Sequence, residues 1–87
     1  MNDESLLEFP CSFPLKVMGN NQPDFEQFVV EIVRTHTGST TLDQVSSRPS
    51  RNARYLAVTV TFTATSKAQL DDIYRALSGS ERVLFLL

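Results

Sequence analysis

The segment Tyr55–Ala64, YLAVTVTFTA, constrains the chain most. Leu56, Val58, Val60, Phe62 and Ala64 alternate with Tyr55, Ala57, Thr59, Thr61 and Thr63. That period of two predicts a strand with one apolar face and one face lined by threonine. Strict alternation also implies a sheet with one side packed and the other left open. Whatever surrounds this strand must therefore cover a single side.

The flanking segments have the helical period instead. Phe25, Phe28, Val29, Ile32, Val33 and His36 recur at i, i+3, i+4, i+7, i+8 and i+11, one apolar stripe on a helix expected from Pro23 to Thr37. Pro23, Asp24 and Glu26 suit its first turn, and Gly38 its C-terminal cap. Ser66 and Gln69 form an S-x-x-Q capping box. Leu70, Ile73, Tyr74 and Leu77 then mark a second helix, closed by Gly79.

Three more segments complete the rhythm. Phe13, Leu15, Val17 and Gly19 share one face of a first strand, and Pro14, Lys16 and Met18 the other. Pro10 and Pro14 fit best at a strand start or an outer edge. Thr41 to Arg48 is a weakly patterned strand, as an edge tolerates. Val83, Phe85 and Leu87 give the last strand an inner face, with Leu84 and Leu86 outside. Met1 to Pro10 is an acidic lead-in whose Leu6, Leu7 and Phe9 suggest packing onto the body.

The order strand-helix-strand-strand-helix-strand, with right-handed crossovers, predicts an α+β, ferredoxin-like βαββαβ two-layer sandwich. A four-stranded antiparallel sheet carries two helices on one face, with the first and third strands central. One domain spans residues 1–87, with 1–11 as an N-terminal extension. The expected core is Phe13, Leu15, Val17, Phe25, Phe28, Val29, Ile32, Val58, Val60, Phe62, Leu70, Ile73, Leu77, Val83 and Phe85. The open face is expected to show Lys16, Met18, Tyr55, Ala57, Thr59, Thr61, Leu84 and Leu86. Its apolar part marks either cover by the tail or a surface for a protein partner or a second copy.

Composition excludes several classes. Eight Lys and Arg stand against ten Asp and Glu, so the net charge of -2 does not favour nucleic-acid binding. No apolar run approaches the ~18 residues of a membrane span. The acidic N-terminus has no signal-peptide pattern, and the lone Cys11 agrees with a reducing compartment, so a cytoplasmic protein is expected.

The chemistry of catalysis is thin. His36 is the single histidine and sits on a helix stripe with no nucleophile in its pattern. Cys11 has no CxxC partner, so no metal is expected. Asp71-Asp72 and Asp3-Glu4 lie in solvated segments, unlike a general acid/base pair. No phosphate-binding glycine loop is present. No catalytic residue and no cofactor is assigned. Acylphosphatase-like hydrolases share the topology but hold phosphate with an arginine in the first strand-helix loop, and Gly19-Asn20-Asn21-Gln22 offers none.

Two binding features remain. Gly19, Asn20, Asn21 and Gln22 open a helix whose free amides could receive a small anionic metabolite. Arg48, Arg51 and Arg54 fall within seven positions around the polar connection Pro49 to Ala53, expected as a flexible hairpin tip, with no acid between Asp43 and Asp71. They could grip an acidic partner or, as an alternative, a nucleic acid. Met18, Tyr55, Leu84 and Leu86 join them as expected partner-binding residues on the open face.

Leu6-Leu7-Glu8-Phe9-Pro10-Cys11, followed by Phe13-Pro14-Leu15-Lys16-Val17-Met18-Gly19, resembles the opening of the small bacterial YbeD-like proteins. The likeness continues through Arg48-Pro49-Ser50, Tyr55-Leu56, Val58-Thr59-Val60, Ile73-Tyr74, Leu77 and Val83. Arg51-Asn52-Ala53-Arg54 departs from the family's usual glycine-containing turn, and Ala57 stands where a serine is common. The resemblance implies an ACT-like ferredoxin fold and a non-enzymatic regulatory or ligand-binding role. It also brings a family label of lipoate regulation. It assigns no catalytic residues.

Overall fold

In the computed structural model, which describes residues 8–38 and 42–86, the alternation of Tyr55–Ala64 becomes a full-length central strand. The element order is β1 (Cys11–Asn20), α1 (Phe25–Thr37), β2 (Gln44–Pro49), β3 (Tyr55–Ala64), α2 (Lys67–Ser78) and β4 (Val83–Leu86). One antiparallel sheet has the order β2-β3-β1-β4, so β1 and β3 are central, as expected. This is the ferredoxin-like, ACT-like α+β arrangement. Leu6, Leu7, Thr41 and Leu87, to which the sequence assigned packing or strand positions, lie outside the described residues.

The core forms between the sheet and both helices. Leu15, Val17, Val58, Val60, Phe62 and Ala64 point from β1 and β3 into the same buried cluster as Phe25, Val29, Val33, Leu70, Ile73 and Leu77. Phe13 and Phe62 face each other across the β1–β3 ladder, with ring centroids 6.0 Å apart. Phe9 packs against this cluster too. Pro14 lies within central β1, away from the strand start or outer edge expected of it, but among the described residues β4 pairs with Val17, Met18 and Gly19 and does not reach it. No ladder bond on that side therefore asks for the amide that proline lacks.

Local chemistry sets the helix ends. Ser66 accepts a hydrogen bond from the Gln69 amide at 3.0 Å, and the Gln69 side chain accepts from the Thr65 amide at 2.9 Å. The other end of that side chain donates to the His36 carbonyl at 3.1 Å, tying the start of α2 to the end of α1. His36 itself places Nδ1 2.9 Å from the Ile32 carbonyl. The first helix begins at Phe25, two residues later than Pro23. Asp24 occupies the N-cap but makes no side-chain cap, because its carboxylate is engaged by Arg82.

The last strand departs from expectation. Val17 pairs with Leu86, Met18 with Phe85, and Gly19 with Val83, so Leu84 is an extra residue in a β-bulge. Paired residues share a face. The bulge therefore turns Leu86 inward against the core and Phe85 outward, where it is 64% exposed. Phe85 is not a core residue, and Leu86 is not on the open face. A strict alternation through Val83–Leu87 cannot anticipate one residue of slip.

Candidate functional site

Two loops meet at the end of the sheet where β1 stops and β3 starts. The Asn21 amide donates to the Arg54 carbonyl at 2.9 Å, and the Asn21 side chain donates to the Ala53 carbonyl at 3.0 Å. The β1–α1 loop is thereby clasped to the β2–β3 hairpin. The hairpin is internally bonded as well. The Ser50 amide donates to Tyr55 at 2.8 Å, Ala53 donates back to Ser50 at 2.8 Å, and the Asn52 carboxamide accepts from Ser50 Oγ and the Arg54 amide. These bonds hold together the polar connection Pro49–Ala53 that the sequence marks as a hairpin tip. Ala53 takes a φ of 60°, a conformation that favours glycine.

The donors of Gly19–Gln22 are largely spent. Gln22 N donates to the Asn20 carbonyl at 2.9 Å, and Phe25 N to the Gln22 carbonyl at 3.1 Å. Gly19 is buried in β1, and Pro23 has no amide. The start of α1 is instead covered by a residue that sequence reasoning passed over, Arg82. Its guanidinium donates to Asp24 at 2.7 and 3.3 Å and to Gln22 Oε1 at 3.1 Å. It also lies 4.6 Å from the centroid of the Phe28 ring, a cation–π contact. The hydrogen bond from Arg82 holds the Asp24 carboxyl below its usual value. Arg82 stands alone in a short polar connection with no periodicity, so the sequence carries no signal for this role.

The uncovered face is assembled by register. Ser46, Thr59 and Lys16 form one row across β2, β3 and β1. Arg48, Ala57, Met18 and Phe85 form the next row across all four strands. Tyr55 and Asn20 form the row after it, beside the hairpin. A depression of about 370 Å³ opens among Lys16, Ser46, Ser47, Arg48, Ala57 and Thr59. Among the described residues, neither Lys16 nor Arg48 has a carboxylate partner. Ser47 Oγ already donates to Glu26 on α1.

The expected partner-binding residues are thus only partly brought together. Arg48, Met18 and Tyr55 share the open face. Arg51 and Arg54 are exposed in the hairpin turn, Leu84 is 43% exposed at the bulge, and Leu86 is turned inward. Lys16 and Phe85 belong to the face and were not among the expected contacts. Lys16 was legible, since it sits between Leu15 and Val17 on the opposite parity. A smaller hollow of about 250 Å³ lies against Asp24, Gln27, Phe28, Glu31 and Arg82, where the one cation is already paired.

Cys11 is free and half-buried. Among the described residues, no group of three or more His, Cys, Asp and Glu side chains could hold a metal ion. No helix among them is long and apolar enough to cross a membrane.

Residues 4–87 match the family described as "Protein of unknown function (DUF493)". A "UPF0250 protein" of Paraburkholderia phytofirmans is 47% identical over 85 residues, covering 98% of this chain and 96% of that relative. The solution structure of protein HP0495 from H. pylori superposes with a TM-score of 0.75 at 18% identity, covering 100% of this chain and 94% of that one. The ACT domain from GTP pyrophosphokinase of Chlorobium tepidum superposes with a TM-score of 0.66 at 8% identity, covering 87% and 84%. At such identities these two show a shared fold.

Proposed function

The chain belongs to the DUF493 family, in keeping with its YbeD-like resemblance, and on that premise we propose a non-enzymatic regulatory module whose uncovered sheet face docks an acidic protein partner. The observation that carries this reading is the row Arg48–Ala57–Met18–Phe85. It sets a half-buried methionine and a mostly exposed phenylalanine beside an arginine that has no carboxylate partner among the described residues, with Lys16 in the next row. Among the described residues, the rows that register sets across this face contain no acidic residue. Burying one aromatic side chain such as Phe85 stabilises a complex by about 1.5–3 kcal/mol, and the cations select the partner's charge. A metabolite site at Gly19–Gln22 is the weaker branch, because those amides are engaged and Arg82 is neutralised by Asp24. The same neutralisation speaks against acylphosphatase-like hydrolysis.

A cytoplasmic site of action belongs to the same reading, supported by the free Cys11. A link to lipoate metabolism comes from the label of the family the chain resembles, and it narrows the search for the partner.

The test is affinity purification of the native protein, identification of the co-purifying protein by mass spectrometry, and calorimetry with that protein in pure form. Arg48→Glu is expected to weaken binding at least tenfold, while Arg75→Glu on α2 leaves it unchanged. Equal effects of the two charge reversals would place the contact elsewhere and overturn the reading. A second copy of the chain, dissociated by Phe85→Asp in sedimentation, would replace the acidic partner as the occupant.

One observation favours a second reading. The bulge puts Phe85 on the same face as Tyr55, giving two aromatic side chains beside basic residues, as single-stranded nucleic acid requires. A salt-dependent mobility shift of labelled RNA, abolished by Arg51→Ala/Arg54→Ala, would favour it over the protein partner.

A further inference from the structure

We propose that the depression between Lys16 and Arg48 is a binding site for a small oxyanion, a carboxylate or phosphate group of a soluble ligand. The proposal rests on the uncovered face being the working surface, but it needs no protein partner. Lys16 stands on β1 and Arg48 on β2, with β3 between them. Their α-carbons are therefore two strand spacings apart, roughly 10 Å, and offset by one two-residue step, roughly 7 Å, along the strands. Two long flexible side chains spanning that diagonal can converge on one group lying over β3.

The floor beneath that diagonal is Ala57 and Thr59. Alanine's missing bulk is what leaves the hollow, and the Thr59 and Ser46 hydroxyls supply neutral donors on the same face. Its volume of about 370 Å³ is within the ordinary range for small-ligand sites, ~300–1,000 Å³. Two cations and two hydroxyls, with no carboxylate lining the hollow among the described residues, describe an anion receptor. The ligand's remaining bulk would extend along the row toward Met18 and Phe85. A ligand held there would compete with an acidic partner for the same two cations.

The site is tested on the purified full chain by amide NMR at constant ionic strength, with inorganic phosphate in one arm and citrate in the other. Saturable shifts are expected at Lys16, Ser46, Arg48, Ala57 and Thr59, with millimolar affinity. The stronger arm identifies phosphate or carboxylate chemistry. Lys16→Met and Arg48→Met keep the aliphatic stems and are each expected to weaken binding about fivefold or more. Ala57→Leu fills the hollow without touching a charge and is expected to block it. Absence of saturable shifts, equal shifts around Arg34, Arg51 and Arg75, or wild-type affinity in both methionine variants would overturn the proposal. Such a failure would leave the protein-docking test untouched, since that test uses no small anion.

Discussion

The Phe25 ring lies directly against the α-carbon of Gly19. A β-carbon there would come within 2.5 Å of the ring and 2.3 Å of the Arg82 carbonyl oxygen. Gly19 is therefore a packing glycine, which lets the start of α1 and the start of β4 close over the end of β1. Gly19→Ala is expected to destabilise the fold by about 3 kcal/mol, because a backbone carbonyl cannot step aside as a flexible side chain can. Urea denaturation of the two proteins measures it. A loss below about 1 kcal/mol would mean that the contact relaxes freely.

The bulge separates two neighbouring residues of β4. Leu86 packs on the core and Phe85 is mostly exposed. Leu86→Ala is expected to cost about 1–2 kcal/mol, less than a fully buried leucine because it is half-buried. Phe85→Thr keeps strand propensity and is expected to change stability by no more than about 0.5 kcal/mol. The reverse order in thermal melts would restore the unbulged alternation.

The hairpin carries a correctable strain. Ala53 holds a φ of 60°, which costs an L-residue about 1–2 kcal/mol. Glycine relieves this and returns part of it as greater freedom in the unfolded chain. Ala53→Gly is expected to stabilise by about 0.5–1 kcal/mol, read as a rise in the melting temperature. The YbeD-like proteins that the sequence resembles use a glycine-containing turn here, in accord with that sign.

Acid acts through Asp24. Its folded carboxyl sits below the ordinary value of 3.8, chiefly through the hydrogen bond from Arg82. The stabilisation is fully present above the unfolded value and is lost as pH falls through the folded one. Asp24→Asn is therefore expected to lower stability at neutral pH and to flatten its fall below about pH 4. The carboxylate is mostly exposed, so added salt is expected to shrink the difference. Denaturant midpoints at pH 7 and pH 3, with and without salt, measure it. Parallel curves for the two proteins would remove Asp24 from the acid response.

Much of the architecture was legible from neighbours in the chain. The alternation of Leu56, Val58, Val60, Phe62 and Ala64, the stripe from Phe25 to Val33 and the Ser66–Gln69 cap each lie within a few residues. A local period is written by local side chains, and right-handed crossovers turn that order into β2-β3-β1-β4. The working face was less legible, because it depends on which residues stand opposite each other across the sheet. One extra residue at Leu84 exchanged the faces of Phe85 and Leu86. Arg82 reached Asp24 across more than fifty positions, and Lys16 came beside Arg48 only through β3. Register and bulges are settled by pairing and packing summed over the whole sheet, and no short stretch of the chain carries that sum.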